Sequence, residues 1–505
     1  MTIGTERHHA LRLRRLGIDT QQEAVVYMRA DCHVCRAEGF RAHARIGISR
    51  DGHSIIATLH HVTSDLLRSN EAGLSEAAWR ALGGEDGDQI WVEHPPTLDS
   101  LSYLRAKVYG NALDEPALHA IIRDVAAGRY ADVHLASFIT ACARGSMSRE
   151  EIIGLTRAMI GVGDRLDWGR APIVDKHCVG GLPGNRTSPI VVAIVTACGL
   201  TMPKTSSRAI TSPAGTADTI ETLAPVDLDV SAMRKVVERE GGCVVWGGAV
   251  RLSPADDILI RVERALDVDS EGQLVASVLS KKAAAGSTHL VLDVPVGPTA
   301  KARTAKAGKL LRDRLLEVAQ ALGITSRVLL TDGSQPVGHG IGPALEARDV
   351  LSVLRNDVDA PADLRSRAIS LAGALLELVS ATLPDCGEDL ARAVLDDGRA
   401  WRKFLAICEA QGGMRTPPRA AHTRVIASPS AGRVTAINNR LLARAAKLAG
   451  APDAKAAGLE LHVRVGDAVK RDQPLFTLHA ENHGELIYAL DYVVPRPEIV
   501  QVEPS

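Results

Sequence analysis

The chain has 505 residues, more than a single hydrophobic core supports, and its 46% hydrophobic and 24% charged content is that of an ordinary globular protein. A formal net charge of −1 excludes a general nucleic-acid binder, which needs a basic face to neutralise phosphates. No apolar run reaches bilayer length, and the opening MTIGTERHHALRLRRLG has charge but no apolar signal core, so no membrane partner is expected and the cytoplasm is the expected compartment.

From the N-terminus, apolar and polar residues alternate through Ala24–Tyr27, Ala42–Ile48 and Ser54–Thr58, with Asp51-Gly52 as a turn. This predicts a β-rich domain over residues 1–97, closed by the rigid Pro95-Pro96 linker. Eight cysteines scattered over so long a chain suit reduced, buried thiols better than a disulfide framework. Cys32 and Cys35 form a C-x-x-C pair, but a zinc site needs a second pair and only His33 and His43 stand nearby. Nor does Arg36–Arg45 present the helix that a thioredoxin-like pair opens. From Leu101 to Leu166 the pattern turns helical: Leu104 and Val108, then Leu118, Ile121, Ile122 and Val125, then Phe138, Ile139 and Ala141 recur at helical spacing. Asp114-Glu115-Pro116 and the capping box Ser148-Arg149-Glu150-Glu151 mark helix starts, predicting an all-α region over 98–166 that packs and dimerises more than it catalyses.

The stretch from Arg170 to Leu223 reads as two successive strand, loop and helix units. Ala171–Lys176 is a short apolar run ending in charge, and Gly180, Gly181 and Gly184 follow it before the apolar Pro189–Leu200 helix. The chain extends again through Met202–Thr205, meets Ser206, Ser207 and Arg208, and is expected to restart a helix at Thr211-Ser212-Pro213. Each unit ends a strand against a helix N-terminus, where free N–H groups and the helix dipole favour an anion. Lys176 and Arg186 join the first loop, and Ser206, Arg208, Ser212 and Thr216 the second, at the ligand edge of an open parallel sheet. Two such loops in tandem predict a phosphate site.

Beyond Leu223, Val230–Glu240 is an amphipathic helix, Cys243–Trp246 a strand, and Ile258–Val275 helical with an interruption near Asp267–Asp269. Ser277 and Lys281 are four residues apart and share a helix face, while Lys282 reads as a solvated lysine. Strands at Leu290–Val296 and Ser326–Thr331 flank a Lys301–Leu322 helix, a further right-handed βαβ unit. Gly338, Gly340 and Gly342 lack the full dinucleotide spacing and its acidic partner. These elements make an α/β region over 167–415. From Arg419 onward, strands around Gly466-Asp467 with a helical Leu441–Leu448 predict a compact α+β module over 416–505. It has the outline of a lipoyl or biotinyl carrier without the modifiable lysine at a hairpin tip.

The runs Asp175-Lys176-His177-Cys178-Val179-Gly180-Gly181 and Ser206 through Asp218 resemble the thymidine and pyrimidine-nucleoside phosphorylase family, in particular the type 2 branch that includes AMP phosphorylases. The likeness extends through Arg105–Tyr130, Ala276–Lys282 and Thr331–Pro336. The resemblance implies an α/β fold with two lobes: an all-α lobe, rejoined by helices near 255–287, facing a mixed α/β lobe across a cleft. It implies reversible phosphorolysis, in which inorganic phosphate attacks C1′ of a nucleoside or nucleoside 5′-monophosphate and releases the base and a pentose 1-phosphate. By motif, Lys176, Ser206 and Thr216 hold phosphate, with Ser188 a weaker candidate. Gly181 allows close backbone approach, and the run Ser207, Arg208, Ala209, Ile210, Thr211 and Ser212 touches substrate together with Ser277, Lys281 and Lys301.

His177 is expected to titrate near neutrality and act at the base carbonyl. Asp269 falls where the AMP branch has its proton donor, with helix capping as its alternative role. No metal and no cofactor are implied, phosphate being a co-substrate, and a homodimer or higher homo-oligomer is implied. Cys178 replaces the serine that nucleoside phosphorylases carry, and Leu259–Glu263 keeps Arg261 but lacks the tyrosine that reads a pyrimidine. Lys301 falls where the AMP branch has a lysine able to pair with a 5′-phosphate. These departures favour a nucleotide substrate over thymidine. Two rivals stand beside this reading. One is an anthranilate phosphoribosyltransferase-like enzyme, for which Asp256-Asp257 is the acidic pair that magnesium needs, and the other is a non-catalytic binding protein.

Overall fold

Strands whose side chains alternate between two environments close on themselves in the first hundred residues. The computed structural model describes residues 10–21, 23–145, 147–209, 212–266, 268 and 270–504. They fall into two units, one of residues 1–147 with 261–268 and one of 148–260 with 269–505.

The first unit opens with β1 (Ala10–Ile18), β2 (Val25–Arg29), α1 (His33–Glu38), β3 (Arg45–Arg50), β4 (His53–Val62), β5 (Glu71–Ser75), α2 (Glu76–Leu82) and β6 (Gln89–Glu93). The six strands form a closed barrel in the order β1-β5-β2-β4-β3-β6, which leaves no free strand edge. Leu11, Leu13, Val26, Met28, Ile46, Ile48, Leu59, Leu74, Ile90 and Val92 fill its core. β1 is a strand in a segment read only for its charge: Leu11 and Leu13 point inward and Arg12 and Arg14 outward. The Cys32/Cys35 pair does open a helix, contrary to expectation, although α1 has only 6 residues. Cys32 caps α1, its Sγ accepting the Cys35 N–H at 3.2 Å. The hydrogen bond from the Cys35 thiol pushes the Cys32 thiol down to about 6. All eight cysteines are free thiols. Helices α3 (Ser100–Val108), α4 (Glu115–Ala126) and α5 (Asp132–Arg144) complete the unit, α4 being capped by Asp114 as its sequence predicts.

The second unit begins with α6 (Arg149–Gly161), whose Ser148–Glu151 capping box is formed in both directions. There follow β7 (Val174–Cys178), α7 (Thr187–Ala197), β8 (Met202–Ser206), α8 (Thr216–Glu221), α9 (Val230–Glu240), β9 (Gly242–Trp246), α10 (Pro254–Leu266), α11 (Glu271–Ala284), β10 (His289–Val296), α12 (Ala305–Ala321) and β11 (Thr325–Asp332). α10 runs on into residues counted with the first unit. β11, β10 and β7 pair in parallel, and so do β8 and β9. Among the described residues the two sets are joined by one parallel bridge, Ile173 to Thr201, so β7 and β8 are tied to each other at their amino ends and not at their carboxyl ends. α7 is apolar on all sides and buried throughout Thr187–Thr196, packed among later helices.

The remainder comprises β12 (Gly340–Ile341), α13 (Pro343–Arg355), α14 (Ala362–Leu378), α15 (Gly387–Asp396), α16 (Arg399–Ala410), β13 (His422–Ala427), β14 (Gly432–Ile437), α17 (Asn439–Leu448), β15 (Gly458–Leu461), β16 (Ala468–Val469), β17 (Pro474–Ala480), α18 (His483–Val493) and β18 (Val500–Glu503). β12 pairs with β15, placing the glycine-rich stretch in the four-stranded sheet β12-β15-β17-β13 of the C-terminal module. A side chain at Gly342 would meet the Ala457 carbonyl at 2.3 Å, so these glycines admit a neighbouring backbone. No helix among the described residues is long and apolar enough to cross a membrane.

Candidate active site

Where β7 and β8 part, charged side chains take the place of backbone pairing. Asp175 on β7 is fully buried, and its carboxylate meets Lys204 of β8 at 3.3 Å and Lys282 of α11 at 2.7 Å. Burial opposes its ionisation, yet the two ammonium groups hold its pKa below the usual value. One carboxylate neutralises one cation, so burial, reinforced by the charge of Lys282, pushes Lys204 down to about 7. Lys282, expected to be solvated, is therefore a core residue: it is 3% exposed and anchors α11 to β7. Its neighbour Lys281, about 100° round the helix, is the one that reaches the surface.

Lys176 is entirely buried, and its ammonium donates to Thr187 Oγ1 at 2.6 Å and Ser188 Oγ at 3.5 Å. Among the described residues no carboxylate stands within ion-pair distance of it. The ammonium thus lies beside the first turn of α7, where the helix dipole is also positive. Two like-signed ends that converge in a buried place are set to share an anion. Burial lowers the Lys176 pKa, opposed by the charge of nearby Asp293. Gly184 must be glycine here, because a Cβ would sit 2.0 Å from the Val337 carbonyl. Gly181 has a φ of +88° and lies against Lys301, whose Cγ would be 3.2 Å from an added Cβ.

His177 does not titrate near neutrality. Burial first, then the charges of Lys282, Lys204, Lys176 and Lys281, push it well below its usual value, so the ring is neutral at physiological pH. Cys178 accepts a hydrogen bond from Asn185 Nδ2 at 3.1 Å, and burial pushes its thiol up, so it stays protonated. Asn185 also donates to Asp293, which accepts from Thr331.

The second loop is built by Asp218 rather than by a helix starting at Ser212. α8 begins at Thr216, and Asp218 Oδ2 accepts the N–H groups of Ala209 at 2.6 Å and Gly215 at 2.9 Å, folding the loop over the helix end. A side chain on Gly215 would meet the Ser207 carbonyl at 2.4 Å. Arg186 joins the two loops: it donates to Thr216 Oγ1 and to the Ala214 carbonyl, each at 2.8 Å, and pairs with buried Glu346 at 2.6 Å. Ser206 Oγ donates to the Val245 carbonyl and Ser212 Oγ to the Ala214 carbonyl. Arg208 is held by Glu221 through two contacts of 2.8 Å and stacks on Trp246 at 4.9 Å, which makes it a strut of the loop. Ile210, Thr211 and Asp269 lie outside the described residues.

On α11, Ser277 donates to Asp256 at 3.0 Å and Lys281 pairs with the same carboxylate oxygen at 2.5 Å. Asp256 is thereby engaged by an ammonium and a hydroxyl. Arg261 pairs with Asp132 at 2.6 Å in the first unit. The first and second loops thus bring together Lys176, Ser188, Arg186 and Thr216, and Lys301 stands at the first. Asp175 and Asp218 enter the sequence reading only as members of the resembling runs, Lys204 is not singled out there, and Lys282 reads as solvated. For Asp175 the signal is a polar residue interrupting an otherwise buried strand.

The family models that match are "Glycosyl transferase family, a/b domain" over residues 170–401, "Glycosyl transferase family, helical bundle domain" over 101–163, and "Pyrimidine nucleoside phosphorylase C-terminal domain" over 433–494. The chain is 64% identical over 98% of its length to "Putative thymidine phosphorylase 2" of Acidovorax sp. (strain JS42), covering 97% of that protein. It is 62% identical over 98% of its length to "Putative thymidine phosphorylase" of Polaromonas sp. (strain JS666 / ATCC BAA-500), again covering 97%. Among solved structures, anthranilate phosphoribosyltransferase from Thermus thermophilus matches 61% of this chain and 98% of its own at 20% identity with a TM-score of 0.52, a likeness of fold.

Proposed function

Because this chain belongs to the pyrimidine nucleoside phosphorylase family and is a pentosyltransferase, we propose that it phosphorolyses the N-glycosidic bond of a nucleoside 5′-monophosphate. The observation that carries the reading is Lys176, a buried ammonium held by hydroxyls at a helix N-terminus. In this reading inorganic phosphate binds Lys176, the first turn of α7 and the Thr216 hydroxyl, which Arg186 orients. A phosphate oxygen attacks C1′ as the bond from C1′ to the base nitrogen breaks through a cation-like sugar. The site therefore works by holding the nucleophile in line and stabilising the departing base.

His177, as a neutral imidazole, hydrogen-bonds the base, Lys281 offsets charge developing on it, and Asp269 supplies its proton. Lys301, against the glycine turn at Gly181, takes the 5′-phosphate. The names of the relatives favour a second reading, thymidine as substrate. Phosphate-dependent base release from AMP, CMP, UMP, thymidine and uridine decides between them. Turnover of nucleotides alone is the expected result; turnover of thymidine or uridine alone removes the role of Lys301, and no release from any of the five overturns phosphorolysis.

A further inference from the structure

The C-terminal module reaches the base of the second loop through Lys455. Asp218 commits Oδ2 to the loop N–H groups of Ala209 and Gly215, and turns Oδ1 towards Arg208 at 3.4 Å and Lys455 at 3.6 Å. One helical turn on, Glu221 binds Arg208 at 2.8 Å and Lys455 at 2.8 Å, and the two cations, Arg208 first, hold its pKa down to about 2. Asp227 also shares Arg208, at 3.4 Å. Three carboxylates therefore surround the base of a loop read as binding a dianion, against one arginine from the loop and one lysine from the module.

Lys455 makes a second attachment through its backbone. Its carbonyl accepts the Ala344 N–H at 3.0 Å in the first turn of α13, the helix whose Glu346 holds Arg186 and, through it, Thr216. One residue thus supports the loop from both ends.

We propose that Lys455 is a positioning residue for phosphate, and that the C-terminal module is thereby a working part of the phosphate site. The inference rests on the phosphate reading of the loops. Without the Lys455 ammonium, Arg208 is shared among three carboxylates, Asp218 loses a partner that fixes its orientation, and the surplus negative charge repels the incoming anion. The side chain of Lys455 is 33% exposed, so its replacement leaves no buried orphan.

The test is equilibrium dialysis of radiolabelled inorganic phosphate against the full chain, its Lys455→Met and Lys455→Arg variants, and the Lys455→Met/Glu221→Gln double variant, with melting points taken in parallel. The expected result is a rise in phosphate Kd of about five- to twentyfold for Lys455→Met. Recovery in Lys455→Arg and a smaller rise in the double variant than in Lys455→Met should accompany it, with melting points unchanged. Where turnover is measured, KM for phosphate should rise while kcat holds. Wild-type binding matched by Lys455→Met overturns this proposal alone, whereas a wild type that binds no phosphate overturns it together with the phosphate reading.

Discussion

Burying Lys176 costs the fold, and that cost sets what its substitution should do. The ammonium is desolvated, and the hydroxyls that hold it and the charge of nearby Asp293 offset this in part, so its pKa lies below the usual 10.5. As pH falls from 10.5 towards the folded value, the unfolded chain takes up a proton that the folded chain does not, and stability declines through that window. Phosphate, which binds the charged form, should oppose the decline. Lys176→Met should therefore lower phosphorolysis about a hundred- to a thousandfold, as removal of one preorganised donor does. It should leave the melting point no lower than that of the wild type, and abolish stabilisation by phosphate. Retained activity in a folded Lys176→Met protein would remove Lys176 from the site. Lys176 was legible because a lysine between a strand and glycines is a motif. Lys204 and Lys282 were not, because a lysine whose partner is a distant buried carboxylate has no local mark that separates it from a solvated one.

Among the elements, most strands and helices from β7 to β11 were legible from apolar runs and glycine turns, whereas α14, α15 and α16 were not singled out. Two further features were not legible. α8 begins at Thr216 because Asp218 captures the preceding loop, and β12 joins a sheet whose other strands lie far later in the chain, from His422 onward, a pairing that only the tertiary fold specifies. Asp349 on α13 fixes the turn into β12 by accepting the N–H groups of His339 and Gly340, each at 2.7 Å. Burial, with Glu346 and Asp363 nearby, pushes it up to about 7. A raised acid pKa gives stability that is full below the unfolded value near 4 and lost as pH rises through about 7. Thermal unfolding should therefore show wild type losing roughly 1.4 kcal/mol per pH unit across that window relative to Asp349→Asn, which keeps an acceptor oxygen. Parallel pH profiles for the two proteins would show that Asp349 is ionised throughout.

At the scale of the whole molecule, composition and motif order predict a β-rich start, a helical stretch, an α/β region and a closing module, but no periodicity says which surfaces meet a second copy. The first unit supplies a candidate. α3 and the residue after it leave Tyr103 40%, Val108 44% and Tyr109 85% exposed, and α5 leaves Val133 66% exposed. Where such side chains form one contiguous patch, it marks an interaction surface. A homodimer, implied by the family resemblance, would cover them. Each such side chain contributes about 1.5–3 kcal/mol when buried, so replacing two by carboxylates should weaken association by at least about a hundredfold. Sedimentation velocity of a Val108→Glu/Tyr109→Glu protein should then show the protomer mass at concentrations where the wild type sediments as a dimer. Because both side chains already face solvent within the protomer, its melting point as a monomer should differ little from expectation for exposed substitutions. An unchanged sedimentation coefficient would place the homo-oligomer contact on another face.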